Sequence, residues 1–465
     1  MGKVISLEHP ELWGGIIDIG TDIASESAGQ ILTEIAVGEE DRVALRKERY
    51  VARLANSNFT SDRVSIQSDA TYLITGGLGA LGLKVAQWLG SQGAKNIVLT
   101  SRRAASPEKA ETLEKIKSTG ANVVVAQADV SSESEIKQLL ESIQSLPPLK
   151  GIFHAAGILD DRLLLEQDWS SFERVMAAKV QGAWLLHSLT SGLSLDSFVL
   201  FSSAASLLGS PAQGNYAAAN SFLDALAHHR RAQQLSGLSI NWGPWSQSGM
   251  AANLASRDRT RMEARGIKSI PSDLGMEALA SLLGQDVAQA GVLPIEWSKF
   301  LQQFPKNNIP PFLSSFADNK QQSSQEKESF LQQLSTTALS DRQKLLVDGI
   351  RSQIARIMGL DATDIGTKVG FADLGMDSLM AVELRNYLQN ILERSIPASL
   401  VFDYPNVEAL AEHFIKEIFD ESNDSSNPQP EAEAEAIAKS NLDIDDISDE
   451  EAEEMLLGRL DSMRY

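Results

Sequence analysis

At 465 residues, with 43% hydrophobic and 22% charged side chains, the chain has room for roughly two to four domains with real cores, which excludes wholesale disorder. It contains no cysteine, so disulfide frameworks, thiolate zinc sites and cysteine nucleophiles are excluded. Its 41 basic and 62 acidic residues leave a net charge of −21, which argues against nucleic acid as a partner, since phosphate contacts need clustered Lys and Arg.

The opening Met1-Gly-Lys-Val-Ile-Ser6 lacks the apolar core of a signal peptide, and no stretch reaches the ~18 apolar residues of a spanning helix. No membrane contact is expected, and the expected location is the cytoplasm. Residues 1–66 read as a small α/β piece, with strand-like runs at Trp13–Ile19, Val43–Arg46 and Arg49–Leu54 and a helix near Ser25–Ile35. From Thr71 the text alternates buried strands with amphipathic helices. The predicted strands are Thr71–Thr75, Asn96–Ser101, Ala121–Ala126, Gly151–Ala155, Ser197–Ser202 and Leu238–Trp242. That alternation is the signature of a doubly wound, Rossmann-type α/β sheet, here assigned to residues 67–304. Residues 305–340 read as a linker rich in Asn, Gln, Ser and Lys. A small all-α unit follows over 341–419, its first helix placing Leu346, Ile350, Ile354 and Ile357 on one face. Residues 420–440 read as a second linker. The chain closes, over 441–465, in a short acidic helix with Ala452, Met455, Leu456, Leu460 and Met463 at helical spacing. Phe419–Tyr465 holds 15 acidic and 3 basic residues, which suits either a solvated tail or a docking surface for a basic partner.

The first strand of the large unit ends at Thr75 and runs into Gly76-Gly77-Leu78-Gly79-Ala-Leu-Gly82, then a helix. This is G-x-G-x-x-G in the strand–turn–helix setting that binds a pyrophosphate at a helix N-terminus. The second strand ends in Ser101-Arg102-Arg103, where a carboxylate would bind a ribose 2′-OH and an arginine instead suits a 2′-phosphate. The expected cofactor is therefore NADPH. Asp129 and Val130 close the third strand and are expected to bracket the adenine. Ala155, Ala156 and Gly157 close the fourth and would face the ribose and nicotinamide.

Downstream, Phe201-Ser-Ser203 ends a strand, and Asn215-Tyr216-Ala-Ala-Ala-Asn220 opens a helix with Tyr216 and Asn220 on one face. Lys179 lies in an upstream helical stretch. Carbonyl reduction needs hydride on carbon and a proton on oxygen. A tyrosine supplies that proton if a nearby cation lowers its pKa, and a serine hydroxyl can hold the developing oxyanion. With His154-Ala-Ala-Gly157, these motifs resemble, in order and spacing, the ketoreductase of modular type I polyketide synthases, a branch of the short-chain dehydrogenase/reductases. The resemblance implies Tyr216 as proton donor, Ser203 as carbonyl anchor, Lys179 as pKa-lowering cation and Asn220 in a proton relay. Leu159-Asp160-Asp161 resembles the Leu-Asp-Asp motif of B-type reductases, and position 208 is Leu rather than the A-type Trp, which implies a D-configured β-hydroxyl. Asn241–Leu254 reads as a lid over nicotinamide and substrate. Residues 1–66 resemble only the end of the family's longer structural half.

Phe371-Ala-Asp-Leu-Gly-Met-Asp377-Ser378-Leu-Met-Ala-Val-Glu383 resembles the attachment motif of an acyl carrier protein. It implies 4′-phosphopantetheine on Ser378, added by a phosphopantetheinyl transferase, with Ser378 capping a helix and Asp377 and Glu383 presenting an acidic face to partner enzymes. The acidic terminus resembles the docking segments through which one synthase protein finds the next. The implied activity is NADPH-dependent reduction of a tethered β-ketoacyl thioester, made by upstream ketosynthase and acyltransferase domains. A fatty-acid-synthase-type reductase, or a non-catalytic reductase-fold scaffold with only the carrier active, are the alternatives.

Overall fold

The computed structural model describes residues 1–20, 25–57, 66–246, 260, 262–304, 309–317, 334, 337, 339–358, 360–392, 396–397 and 400–420. The predicted terminal docking helix lies outside the described residues, as does the expected lid from residue 247 onward.

A short helix, Gly2–Glu8, leads to a three-stranded sheet of β1 (Ile16–Ile19), β2 (Arg42–Leu45) and β3 (Arg49–Val51), with the helix Ser25–Val37 between the first two strands. β1 pairs parallel with β2, and β2 antiparallel with β3. Strand periodicity puts Val43 and Leu45 inward, both buried. Leu32, Ile35 and Val37 on the helix stay exposed.

The large sheet has seven strands: β4 (Thr71–Thr75), β5 (Asn96–Ser101), β6 (Asn122–Gln127), β7 (Leu149–His154), β8 (Ser197–Ser203), β9 (Leu238–Trp242) and β10 (Gln289–Val292). All pairings are parallel, in the order β10-β9-β8-β7-β4-β5-β6. Successive residues of β5 serve opposite faces: Ile97 and Leu99 join one apolar core, Val98 the other. A strand covered on both sides must be apolar throughout, which explains the unbroken hydrophobic runs. The strand order reverses between β4 and β7, and the crevice at their carboxyl ends is where such folds take ligands. β10 was not predicted. Its Gln-Ala-Gly-Val has no apolar run, and it finds its place only by pairing with β9.

Beyond the seven-stranded unit come the helices Leu339–Met358, Ser378–Leu392, Leu400–Asp403 and Val407–Asp420. Leu346, Ile350, Ile354 and Ile357 are all buried, as their spacing predicts. On Ser378–Leu392 the buried set is Met380, Ala381, Leu384, Leu388 and Leu392, again at helical spacing. Among the described residues no helix is long and apolar enough to cross a membrane.

Candidate active site

At the β4–β7 crevice the chain turns at Gly76, whose φ of +64° strains any residue with a side chain. A Cβ there would stand 2.8 Å from the amide nitrogen of Ala156. One on Gly82 would stand 2.4 Å from the carbonyl oxygen of Gly76. These glycines let the turn sit against β7 and open the helix Ala80–Ser91 toward the crevice. The cavity there measures about 260 Å³. Of the predicted cofactor residues, Gly76, Leu78, Gly79, Ser101, Arg102, Asp129, Val130, Ala155, Ala156 and Gly157 line it. Thr75, Gly77 and Gly82 do not, and act from behind. The Thr75 hydroxyl bonds Nδ1 of buried His154 (2.7 Å), and the other two glycines pack the turn.

Two cations the motif did not flag, Lys109 and Arg174, also line the cavity. Arg102 and Lys109 together give the adenosine end a positive wall, the donor set that a 2′-phosphate requires. Asp129 is held by the amide and hydroxyl of Ser131 (2.9 and 2.7 Å). The residues present therefore fit NADPH.

Lys179 sits in a π-turn, Ala177–Gln181, between the helices Trp169–Met176 and Gly182–Thr190. Turns of this kind recur at functional sites because the extra residue re-aims a side chain. Lys179 is buried and donates from Nζ to the carbonyl of Phe201 (2.8 Å). Its Nζ lies 5.5 Å from the ring centre of Tyr216. A Cβ on Gly157 would press within 2.8 Å of Lys179 Cε, so the lysine packs against a glycine that lines the cofactor cavity. Tyr216 is buried on the helix Gly214–Ala232. Ser203 ends β8 and caps the helix Ala204–Leu208 by accepting from the amide of Ala205.

The cation was expected to lower the phenol's pKa, but in the protein burial wins. It pushes Tyr216 up to about 12, against the opposing pull of the Asn220 and Ser203 side chains. Burial likewise brings Lys179 down to about 8, with Asp224 pulling the other way. At neutral pH the phenol therefore holds its proton and the amine its charge. Asn220 donates from Nδ2 to the carbonyl of Tyr216 (2.8 Å), and its buried Oδ1 has no partner among the described residues.

Residues 70–247 match the family described as KR domain, and residues 348–414 the one described as phosphopantetheine attachment site. Among solved structures, the chain is similar to A-type ketoreductases from a modular polyketide synthase, at 35% identity and a TM-score of 0.63 over 68% of each chain. The chain belongs to the ketoreductases of modular polyketide synthases. It is also similar to the first ketoreductase of the tylosin synthase, at 36% identity and a TM-score of 0.60, covering 69% of this chain and 70% of that one. Polyketide synthase GfsA of Streptomyces halstedii is 33% identical over 92% of this chain. The chain spans 6% of the length of that protein.

In this ketoreductase the Leu159-Asp160-Asp161 loop is tied at several points. Arg174 Nε donates to Asp160 (2.9 Å), with Arg162 also beside it (3.3 Å), and holds that carboxyl below the usual range. Burial raises Asp161, which accepts from Gln213 (2.9 Å). Leu159 is exposed. Asn215, beside Tyr216, donates to the carbonyl of Asp160 (2.9 Å) and to the Ser171 hydroxyl (2.8 Å). On the same helix lies a buried carboxylate that sequence reasoning missed, Asp224. It accepts from Ser206 (2.6 Å), Ser239 (2.7 Å) and Asn241 (2.9 Å to each oxygen). Positions 216, 220 and 224 share one helical face, but that spacing alone does not mark the carboxylate as buried.

In the carrier segment Ser378 is the first residue of its helix, but Asp377 is the cap, accepting from the amide of Met380 (2.8 Å). The capping role expected of Ser378 therefore falls to its neighbour. The hydroxyl of Ser378 lies outside the described side chains. Glu383, expected to face partner enzymes, pairs with Arg265 (2.7 Å). Buried Arg385 donates to the carbonyls of Glu8 (2.7 Å) and Leu7 (3.3 Å) at the end of the helix Gly2–Glu8.

Proposed function

We propose that this chain reduces a β-ketoacyl thioester, carried on 4′-phosphopantetheine at Ser378, to the D-configured β-hydroxyacyl thioester. NADPH, when bound, supplies hydride to the carbonyl carbon. The Tyr216 phenol gives its proton to the carbonyl oxygen as the C=O double bond becomes a C–O single bond. The Ser203 hydroxyl donates to that oxygen while charge builds on it. The Lys179 ammonium offsets the charge left on the phenol oxygen, which burial would otherwise make costly. Asn220, whose buried Oδ1 has no partner among the described residues, suits the proton path that restores the phenol. The observation that carries the reading is a buried ammonium 5.5 Å from a buried tyrosine ring, packed against Gly157, which lines a cavity walled by Arg102 and Lys109.

The D configuration is proposed from Leu159, Asp160, Asp161 and Leu208. The likeness to the solved A-type structures spans 68% of each chain, whereas the stereochemical choice is read from these few loop residues. The proposed upstream partners are ketosynthase and acyltransferase domains, and a phosphopantetheinyl transferase acts on Ser378. Residues 441–465 are proposed to dock to a following synthase protein. Intact Ser203, Tyr216, Lys179 and Asn220 favour catalysis over a scaffold role. The test is reduction of a β-ketoacyl diketide thioester with NADPH, followed by chiral analysis of the product. A D-configured hydroxyl, and loss of turnover by roughly 10²–10⁴-fold in Tyr216→Phe with NADPH binding retained, is the expected result. Full turnover in that variant refutes the acid role, and an L product refutes the stereochemical assignment.

A further inference from the structure

Glu8 is the last residue of the helix Gly2–Glu8 and is only 2% exposed. A carboxylate leaves water at high cost unless its oxygens are met by donors. Here each oxygen is met by one main-chain N–H: Oε2 accepts from Leu164 (2.7 Å) and Oε1 from Ala212 (2.8 Å). Those amides lie 156 and 204 residues away in sequence and belong to two different loops. One loop carries Leu159, Asp160 and Asp161 and runs on to Leu164. The other runs from Gly209 to Gln213 and delivers Tyr216.

The two loops are also joined to each other. Arg162 and Gln213 form a parallel bridge, with the amide of Arg162 donating to the carbonyl of Ala212 (2.8 Å). Ala212 holds a φ of +66°, a left-handed conformation that an alanine keeps only when its surroundings impose it. Its two main-chain groups are both committed, the carbonyl to Arg162 and the amide to Glu8. The same helix braces the second loop further on. Lys3 Nζ donates to the carbonyl of Ser206, and a Cβ on Gly209 would stand 2.7 Å from the carbonyl of Lys3.

We propose that Glu8 is a positioning residue that sets the spacing between the Leu159–Leu164 loop and the loop entering the Tyr216 helix, and thereby fixes which face of the ketone meets the hydride. The proposal rests on the reductase reading above. Two charge-assisted bonds from one rigid helix end define that spacing better than either loop could alone. Glu8 touches no reacting atom, so its loss should act on acceptance and orientation of the acyl chain rather than on proton transfer.

The test compares the full chain with Glu8→Gln, which keeps one acceptor and turns an amide N–H₂ against the other donor. The substrate is a diketide thioester whose product diastereomers are resolved by chiral chromatography. The expected result is a single product from the unaltered chain and a mixture from the variant. kcat/KM for the thioester should fall roughly ten- to hundred-fold, mostly through KM, with the Kd for NADPH unchanged. Glu8→Asp, which keeps the charge, should recover part of the selectivity. A variant that melts earlier yet gives one diastereomer with unchanged KM overturns the proposal. If Glu8→Gln does not fold, Leu164→Pro decides. It removes the Leu164 amide donor, together with the side chain that packs against Gly214, at the first position of the short helix Leu164–Glu166, where proline is tolerated. Undiminished selectivity there also overturns it. Absence of reduction by the unaltered chain would instead refute the reductase reading, so the two failures are distinct.

Discussion

Replacing Asp224 by asparagine keeps the side-chain shape and removes one charge. The carboxylate accepts O–H from Ser206 and Ser239 and N–H from Asn241 to both oxygens. A serine hydroxyl can turn from donor to acceptor, but the Asn241 amide cannot, so one or two charge-assisted bonds are lost. At about 1.5–3 kcal/mol each, the loss is about 2–5 kcal/mol, or a fall in Tm of roughly 5–15 °C for a domain of this size. The exchange also removes the Asp224 charge, which opposes burial at Lys179, whose pKa of about 8 should drop further. In the proposed mechanism the ammonium is the active form. In the unaltered protein kcat/KM should therefore decline as pH rises through about 8, and in Asp224→Asn the decline should begin at lower pH. Thioester reduction followed across that range, alongside thermal unfolding, measures both effects. A lowered Tm with an unmoved alkaline limb would refute the electrostatic reasoning, and an unchanged Tm would refute the packing half.

Arg102→Ala should raise KM for NADPH roughly 10- to 100-fold, the worth of a charged hydrogen bond, while leaving NADH use nearly unaltered. An equal loss with both cofactors would contradict a 2′-phosphate contact. His154 is pulled to about 3, by burial first and the Lys179 charge second, from an ordinary 6.5. Below pH 6.5 the unfolded chain takes a proton that the folded one refuses. Stability is therefore full above that pH and is lost toward pH 3, by up to about 1.4 kcal/mol per pH unit. Urea unfolding at neutral and acid pH should show this slope, and His154→Gln should remove its share; an identical slope in the variant would sink the assignment. Ser378→Ala should abolish the mass gain produced by a phosphopantetheinyl transferase and coenzyme A, and a gain that persists would move the attachment site.

Much of this was legible because local rules act over short spans. Fully buried strands announce themselves as apolar runs, and six of the seven strands of the large sheet were placed to within about two residues. The glycine turn and the Tyr216–Asn220 pair are likewise short-range patterns. What escaped has two causes. β10 is held by its neighbour rather than by its own composition, so nothing in Gln-Ala-Gly-Val announces it. Asp224 and Glu8 look like ordinary charged positions on helices, and only their distant partners make them buried acceptors. The burial that pushes Tyr216 up was not legible for a related reason: a motif marks a tyrosine, but its depth is a property of the assembled core.

The π-turn at Ala177–Gln181 makes the arithmetic of the chain part of its chemistry. An α-helix advances about 100° with each residue. Shortening this segment by one alanine would keep every functional letter and both flanking helices, yet swing the amine a quarter-turn or more out of register with the tyrosine. Such a frame-preserving deletion should silence the enzyme as fully as losing the lysine itself, although a comparison of residue identities alone would find nothing missing.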